Sequence, residues 1–126
     1  MKLRRDVRDW VVKAEEDYAV LDVLRRKRRP SFNNAICFHA QQCAEKYLKA
    51  LLTHARLSFP KTHDLLELLE LAKRRHPSLE LTRPLLEYLE PYAVALRYPG
   101  EFASRVEATR AVRIMSQLRA RFRHLL

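Results

Sequence analysis

Hydrophobic residues recur at helical intervals throughout residues 31–56, a stretch without glycine or proline that directly follows Pro30. Its apolar positions are Phe32, Ala35, Ile36, Ala40, Cys43, Ala44, Tyr47, Leu48, Leu51 and Leu52. Because these positions cover more than half of a helix circumference, they predict a central helix that packs on several sides. We expect Ser31 to be its N-cap, since a serine hydroxyl can accept a hydrogen bond from an unpaired N–H of the first turn.

The same periodicity predicts a helix on either side of the central one. The first covers about residues 3–26 and carries an apolar stripe at alternating spacings of three and four. The third covers about residues 64–75, where Asp64 and Glu67 have the spacing of a capping box. Short connections between such helices are typical of a bundle.

Two further helices follow. One begins near Pro84, and Pro91 should kink or split it, because proline removes a helical hydrogen bond and clashes with the preceding turn. Ser104 and Glu107 form a capping box that predicts the start of the last helix. The pattern therefore predicts an all-α fold: an up-and-down bundle of four to five helices in one domain over residues 1–126.

The charge of the chain adds a possible class of partner. It carries 25 basic and 15 acidic residues, a formal net charge of +10, and arginines outnumber lysines 18 to 7. The planar guanidinium fork suits phosphate and carboxylate groups, so an anionic partner fits this composition. A general bias of composition towards arginine explains the same numbers equally well.

Several other classes of site are not supported. Cys37 and Cys43 lie six residues apart on one helix, about 9 Å along its axis, which is too far for a disulfide. Free thiols fit a cytoplasmic protein, and we expect neither a signal peptide nor a membrane-spanning segment. Neither a His-x3-His nor a Cys-x2-Cys spacing occurs, and the single glycine excludes a glycine-rich phosphate loop, so we expect no metal and no cofactor.

The central helix nevertheless carries a polar stripe. We use this name for His39, Gln42, Lys46 and Lys49 together with Gln41 and Glu45 beside them. Residues at these spacings share one helix face. The stripe is either part of a binding site or a solvated seam that contains an ordinary i,i+4 pair of Glu45 and Lys49.

Two more local clusters carry candidate chemistry. His63 lies between Thr62 and Asp64 at a helix start, where the simpler interpretation is capping. Arg97 and Tyr98 follow the interrupted helix, and a guanidinium beside an aromatic ring suits an anion or a stacked base. In the simpler interpretation, Arg97 satisfies helix-end carbonyls and Tyr98 packs against the bundle.

Together these clusters predict one polar cleft, built from Gln42, Lys46, Lys49, His63, Arg97 and Tyr98. In this hypothesis the three cations hold phosphate, the glutamine and the histidine orient it by hydrogen bonds, and the tyrosine stacks on a base.

Four segments, taken in order, resemble the HEPN domain family over nearly the whole chain. They are Trp10…Ala14…Asp17, then His39-Ala40-Gln41-Gln42-Cys43-Ala44-Glu45-Lys46-Tyr47-Leu48-Lys49-Ala50, then His63-Asp64-Leu65, then Leu96-Arg97-Tyr98-Pro99. The Gln-Gln-x-x-Glu-Lys-x-x-Lys-Ala run and the Arg-Tyr-Pro ending are the most specific parts. The resemblance implies a bundle of four or five helices, usually a homodimer, with a role around nucleotides or RNA.

The resemblance also implies a partner and an activity. Many members are small prokaryotic proteins encoded beside a minimal nucleotidyltransferase in toxin–antitoxin-type pairs. Catalytic members are metal-independent ribonucleases with an Arg-(x4–6)-His motif, duplicated across a dimer cleft. Here no histidine follows Arg97 at that spacing, whereas Arg119 with His124 and Arg56 with His63 have the spacing at other places in the chain.

We therefore expect a nucleotide- or RNA-binding protein that partners a minimal nucleotidyltransferase. Its expected binding residues are His39, Gln42, Lys46, Lys49, His63, Arg97 and Tyr98. The alternatives are a metal-independent endoribonuclease toxin and a non-catalytic helical scaffold. Metal-free RNA cleavage needs a general acid or base of near-neutral pKa beside a stabilising cation, and His39 and His63 are the candidates for that role.

Overall fold

Five α-helices make up the fold in a computed structural model that describes residues 2–126. They are α1 (Arg5–Lys27), α2 (Asn33–His54), α3 (Leu65–Ala72), α4 (Arg83–Leu89) and α5 (Arg105–Leu125). Three short 3-10 turns lie between them, at Pro30–Phe32, Pro77–Thr82 and Glu90–Ala93. No strand occurs between residues 2 and 126, so the prediction of an all-α helical bundle is confirmed.

The helix α2 lies at the centre, as its apolar pattern predicted. It contacts α1, α3, α4 and α5, and Tyr47, Leu48 and Leu52 on it are fully buried. A helix needs an apolar surface wider than one stripe to pack on several sides, and α2 has one. α1 crosses α2 in the antiparallel direction, because Asp17 lies beside His39 while Arg4, earlier on the chain, reaches the carbonyl of Thr53.

Three local predictions of helix ends are confirmed. The Asp64 carboxylate caps α3 by accepting hydrogen bonds from the backbone N–H groups of Leu66 and Glu67, at 2.9 and 3.1 Å. The Glu67 carboxylate accepts from the Thr62 hydroxyl, so the return bond of a capping box is not formed. Ser104 and Glu107 form a reciprocal capping box at the start of α5. α4 ends at Leu89 and continues as the 3-10 turn that contains Pro91, as expected for a proline in a helical pattern.

The prediction that Ser31 is the N-cap of the central helix is wrong. Pro30 begins a 3-10 turn that includes Ser31, and α2 starts only at Asn33. Phe32 occupies the N-cap position and makes no side-chain capping bond. The side chain of Asn33 instead donates to the carbonyl of Ala103, so the start of α2 is held by a distant loop rather than by a local cap.

The predicted free cysteines are also confirmed. Cys37 and Cys43 are fully buried and form no disulfide. Burial raises the pKa of the Cys37 thiol to about 12, so this thiol is protonated and acts as a small apolar core group. Across residues 2–126, none of the helices combines the length and the apolar character needed to cross a membrane.

Candidate functional site

Part of the polar stripe is paired with a carboxylate from α1. Asp17 is only 7% exposed and lies between α1 and α2. One of its oxygens contacts His39 Nδ1 at 2.8 Å, and the other accepts a hydrogen bond from Lys46 Nζ at 2.5 Å. Burial alone would raise the pKa of Asp17, but these two hydrogen bonds and the neighbouring charges outweigh it and lower the pKa.

A second carboxylate, Glu45, pairs with the remainder of the stripe. Glu45 is 3% exposed and accepts a hydrogen bond from Lys49 Nζ at 3.0 Å, while its other oxygen lies 2.9 Å from His63 Nδ1. The Lys49 ammonium also lies 5.5 Å from the centre of the Trp10 ring, within the range of a cation–π contact. The expected i,i+4 pair therefore exists, but it is buried rather than solvated.

The two glutamines brace this arrangement. Gln41 is fully buried and donates to the backbone carbonyl of His63 at 3.1 Å. Gln42 donates to the side-chain oxygen of Gln41 at 2.6 Å, which orients the Gln41 amide. The five predicted residues therefore belong to two clusters along α2, His39 and Lys46 with Asp17, and Gln42, Lys49 and His63 around Glu45 and Gln41, and both lysines are neutralised by carboxylates.

Arg97 and Tyr98 lie in the segment between α4 and α5. The Arg97 guanidinium donates to the carbonyl of Ala93 at 2.7 Å, which satisfies a group at the end of the 3-10 turn. Tyr98 is 73% exposed. Within residues 2–126, neither residue forms a hydrogen bond or an ion pair with the polar stripe. That all the predicted residues share one cleft stays a prediction.

Sequence reasoning did not identify a groove between α4 and α5. We name it the arginine groove; it is an open depression of about 550 Å³ lined by Leu85, Arg105, Val106, Thr109, Arg110, Arg113, Ile114 and Gln117. The Arg110 guanidinium stacks 4.6 Å from the centre of the Tyr88 ring. Among the residues described, no carboxylate pairs with Arg105, Arg110 or Arg113, so all three charges are available to a ligand.

A comparison with protein families decides the classification. The family model described as HEPN domain matches residues 7–125. The chain belongs to the HEPN domain family. No curated protein and no solved structure gave a match. Membership in the HEPN family agrees with the helical bundle and supports a function related to nucleotides or RNA.

The HEPN chain contains two Arg–His pairs at the spacing of the family's ribonuclease motif. In the first, Arg119 forms two hydrogen bonds with Glu15, at 2.8 and 2.6 Å, and lies 4.4 Å from the centre of the Tyr18 ring. The Arg119 hydrogen bonds lower the pKa of Glu15, so this carboxylate stays ionised and compensates the arginine. The arginine of this pair is therefore already compensated by a carboxylate.

The second pair contributes an accessible imidazole. The side chain of His63 is 76% exposed although its Nδ1 contacts the buried Glu45. An ionised carboxylate can only accept a hydrogen bond, so Nδ1 carries the proton and Nε2 is left for another group. Arg56, the other member of this pair, is exposed and has a left-handed backbone with φ of 58° at the end of α2.

Proposed function

We propose that this HEPN protein is a non-catalytic nucleotide- or RNA-binding module, and that it pairs with a minimal nucleotidyltransferase in a toxin–antitoxin-type system. The observation that carries the binding part is the arginine groove. Its three arginines lie on one face of α5, and none is neutralised by a described carboxylate. In a chain with a net charge of +10, such a groove attracts phosphate groups.

The groove is suited to hold phosphates in a fixed orientation. A guanidinium can donate two parallel hydrogen bonds to one phosphate, and the contact with the Tyr88 ring, 4.6 Å from the ring centre, restricts the positions of the Arg110 guanidinium. Thr109 and Gln117 add neutral donors along the same face. In this proposal Arg97 and Tyr98 extend the binding surface, whereas Lys46 and Lys49 hold α2 to its neighbours.

Salt-dependent binding tests the proposal. Fluorescence anisotropy would give the Kd for a labelled 12-nucleotide RNA and for a labelled nucleotide at several salt concentrations. For single strands the slope of log K against log salt is about −0.7 per phosphate contact, so Arg110→Gln with Arg113→Gln should make it shallower by about 1.4. Arg5→Gln with Arg8→Gln is the control, since it also removes two charges, both residues are exposed on α1, and neither side chain makes a hydrogen bond or ion pair among the described residues.

The three outcomes are distinct. A weaker and less salt-dependent interaction in the groove variant alone supports the proposal. If Arg5→Gln with Arg8→Gln weakens binding as much as the groove variant does, the attraction comes from net charge, and the groove is not the site. A wild-type protein that binds neither ligand supports the helical scaffold instead.

We also propose a homodimer. Val12, Val20 and Val23 are exposed on α1, and their spacing places them on one face of the helix, which would be covered in a symmetric pair. Light scattering should give about twice the 15.0 kDa mass of one chain at micromolar concentration. A single-chain mass would reject the dimer.

Co-purification of an adjacently encoded nucleotidyltransferase would test the pairing.

His63 favours a second candidate function, the metal-independent endoribonuclease. Its imidazole is exposed while Glu45 fixes its tautomer, and a general base in an RNA-cleaving site needs both properties. Incubation with a structured RNA in EDTA tests this. Cleavage that disappears in His63→Ala would establish the ribonuclease, whereas RNA that is bound and stays intact supports the binding module.

A further inference from the structure

The segment between α4 and α5 is anchored to the start of α2. Asn34 donates to the carbonyl of Glu101 at 3.2 Å and accepts a hydrogen bond from the N–H of Ala103 at 2.7 Å. Asn33 donates to the carbonyl of Ala103 at 3.3 Å. The Glu101 carboxylate in turn accepts from the N–H of Tyr98 at 3.1 Å. We name residues 97–104 the aromatic loop; these bonds hold it against the bundle.

The anchored loop exposes two aromatic rings. Tyr98 is 73% exposed and Phe102 is 78% exposed, and among the described residues neither ring packs against another aromatic ring. A phenyl ring in water adds nothing to the stability of the fold. Because the hydrogen bonds fix the backbone that carries them, the rings are presented to solvent at little cost in conformational entropy on binding.

Arginines flank the segment that carries these rings. Arg97 lies within the loop, and Arg105 directly follows it and also lines the arginine groove. At the adjoining start of α2, the Arg29 guanidinium lies 5.9 Å from the centre of the Phe32 ring, immediately before the two asparagines that anchor the loop. The loop that carries the two rings is therefore connected through Asn33 and Asn34 to the segment of Arg29, and along the chain through Arg105 to the arginine groove. Exposed rings beside a cationic track are what a single-stranded nucleic acid needs.

We propose that the aromatic loop is a stacking platform for unpaired RNA bases, and that the RNA backbone continues from it into the arginine groove. This inference rests on the proposed binding function and specifies its ligand as single-stranded RNA. Only an unpaired strand offers base faces to Tyr98 and Phe102, because a duplex keeps its bases stacked on each other.

Binding by ring variants tests the platform. Anisotropy would compare a labelled 12-nucleotide single strand, its duplex and a mononucleotide, all in EDTA. Alanine substitution of a stacking ring weakens nucleic-acid binding by about fivefold or more, so Phe102→Ala and Tyr98→Ala should each raise the Kd for the single strand by about that factor. Phe102→Tyr keeps an aromatic ring, so its Kd for the single strand should be close to that of wild type. Leu81→Ala is the control, because Leu81 is an apolar residue that is 76% exposed and lies in the 3-10 turn Pro77–Thr82.

A second measurement detects stacking directly. The chain has one tryptophan, Trp10. In a Phe102→Trp variant, unlabelled single-stranded RNA should quench the added fluorescence relative to wild type, and duplex RNA should not. Absence of this quenching in a variant that binds the single strand would overturn the platform, whether or not the alanine variants fold.

The outcomes separate the platform from the binding function. If the Arg110→Gln and Arg113→Gln variant loses the single strand while Phe102→Ala and Tyr98→Ala bind like wild type, the groove is the site and the platform is wrong. Duplex bound as tightly as single strand also overturns it. If Phe102→Ala instead halves the mass in light scattering with RNA binding unchanged, the rings contact a second copy. A wild type that binds neither RNA nor the mononucleotide overturns both proposals, whereas one that binds the mononucleotide alone overturns only the platform.

Discussion

The polar stripe of α2 and the arginine groove of α5 are both rows of charged residues on long helices, yet they hold charge in opposite ways. In the stripe, each lysine has a carboxylate within 3.0 Å, and the carboxylates are almost fully buried. In the groove, three arginines face solvent without a described carboxylate. The first arrangement stabilises the contacts of α2, and the second leaves charge available for a ligand.

The difference shows that the helix packed against a charged residue decides whether its charge is neutralised or stays available. Lys46 meets Asp17 because α1 crosses α2 with a carboxylate in its buried stripe. Arg113 lines the groove, and the residue that α4 contributes to this groove is the apolar Leu85. Substitutions should therefore affect stability in the stripe and ligand binding in the groove.

The largest expected effect is that of Glu45→Ala. It leaves the Lys49 ammonium buried without its carboxylate, and breaking such a pair costs about 3–5 kcal/mol of unfolding free energy. Urea unfolding followed by circular dichroism measures this. Glu87→Ala is the matched control, because Glu87 is exposed and its side chain makes no bond in the described structure. Equal stabilities of the two variants would show that the stripe is solvated.

Asp17→Asn should cost less, about 1.5–3 kcal/mol, because Lys46 and His39 are partly exposed and can be hydrated. The pKa of Asp17 is lowered in the folded state, so on acidification the unfolded chain binds the proton first. The stability that Asp17 contributes is therefore complete above its unfolded pKa of about 3.8 and is lost as pH falls through its folded pKa.

Unfolding series for wild type and Asp17→Asn at pH 5 and 3.5 would check this. The difference between the two proteins should be smaller at pH 3.5 than at pH 5. A difference that grows from pH 5 to pH 3.5 would mean that Asp17 is not paired with cations.

Arg110→Ala should have a small effect on stability, about 0.5–1 kcal/mol, since it removes only the contact with the Tyr88 ring. Arg110→Lys keeps a charge but lacks the flat guanidinium and should recover part of the loss. Thermal unfolding of the three proteins gives the comparison. A loss as large as that of Glu45→Ala would place Arg110 in the core network rather than in the groove.

The smallest effect is expected for Arg113→Ala, within about 0.5 kcal/mol of wild type, as for most surface substitutions away from specific contacts. The same variant should weaken RNA binding at low salt, which anisotropy measures. Unchanged binding together with unchanged stability would remove Arg113 from the proposed site.

Much of the fold could be predicted because its determinants are local. The spacing of apolar residues located the helices, and the caps at Asp64 and Ser104 and the break at Pro91 depend only on residues within one turn. The N-cap at Ser31 was predicted wrongly because the start of α2 depends on distant contacts. The start of α2 is set by Asn33 and Asn34 bonding to a loop 67 to 70 residues further along the chain, which no local pattern reveals.

The candidate site was harder to predict because it depends on the register between helices. The stripe residues were correctly assigned to one face of α2, but the partner of Lys46 lies 29 residues away on α1. One signal was present, since Asp17 is a carboxylate at a position of the apolar stripe of α1. The four-residue spacing of Arg105, Thr109, Arg113 and Gln117 also marked one face of α5, although only the packing of α4 shows that this face forms a groove.

Glu15 on α1 has a consequence for how the molecule opens. Its carboxylate binds the hydroxyl of Tyr47 on α2 and both Arg119 and Arg123 on α5, so one side chain joins the three longest helices. None of these helices can separate without breaking the same junction. Amide protons near its centre should therefore exchange with deuterium through a single cooperative opening, whose free energy equals that of global unfolding, while α3 and α4 exchange through smaller, local openings.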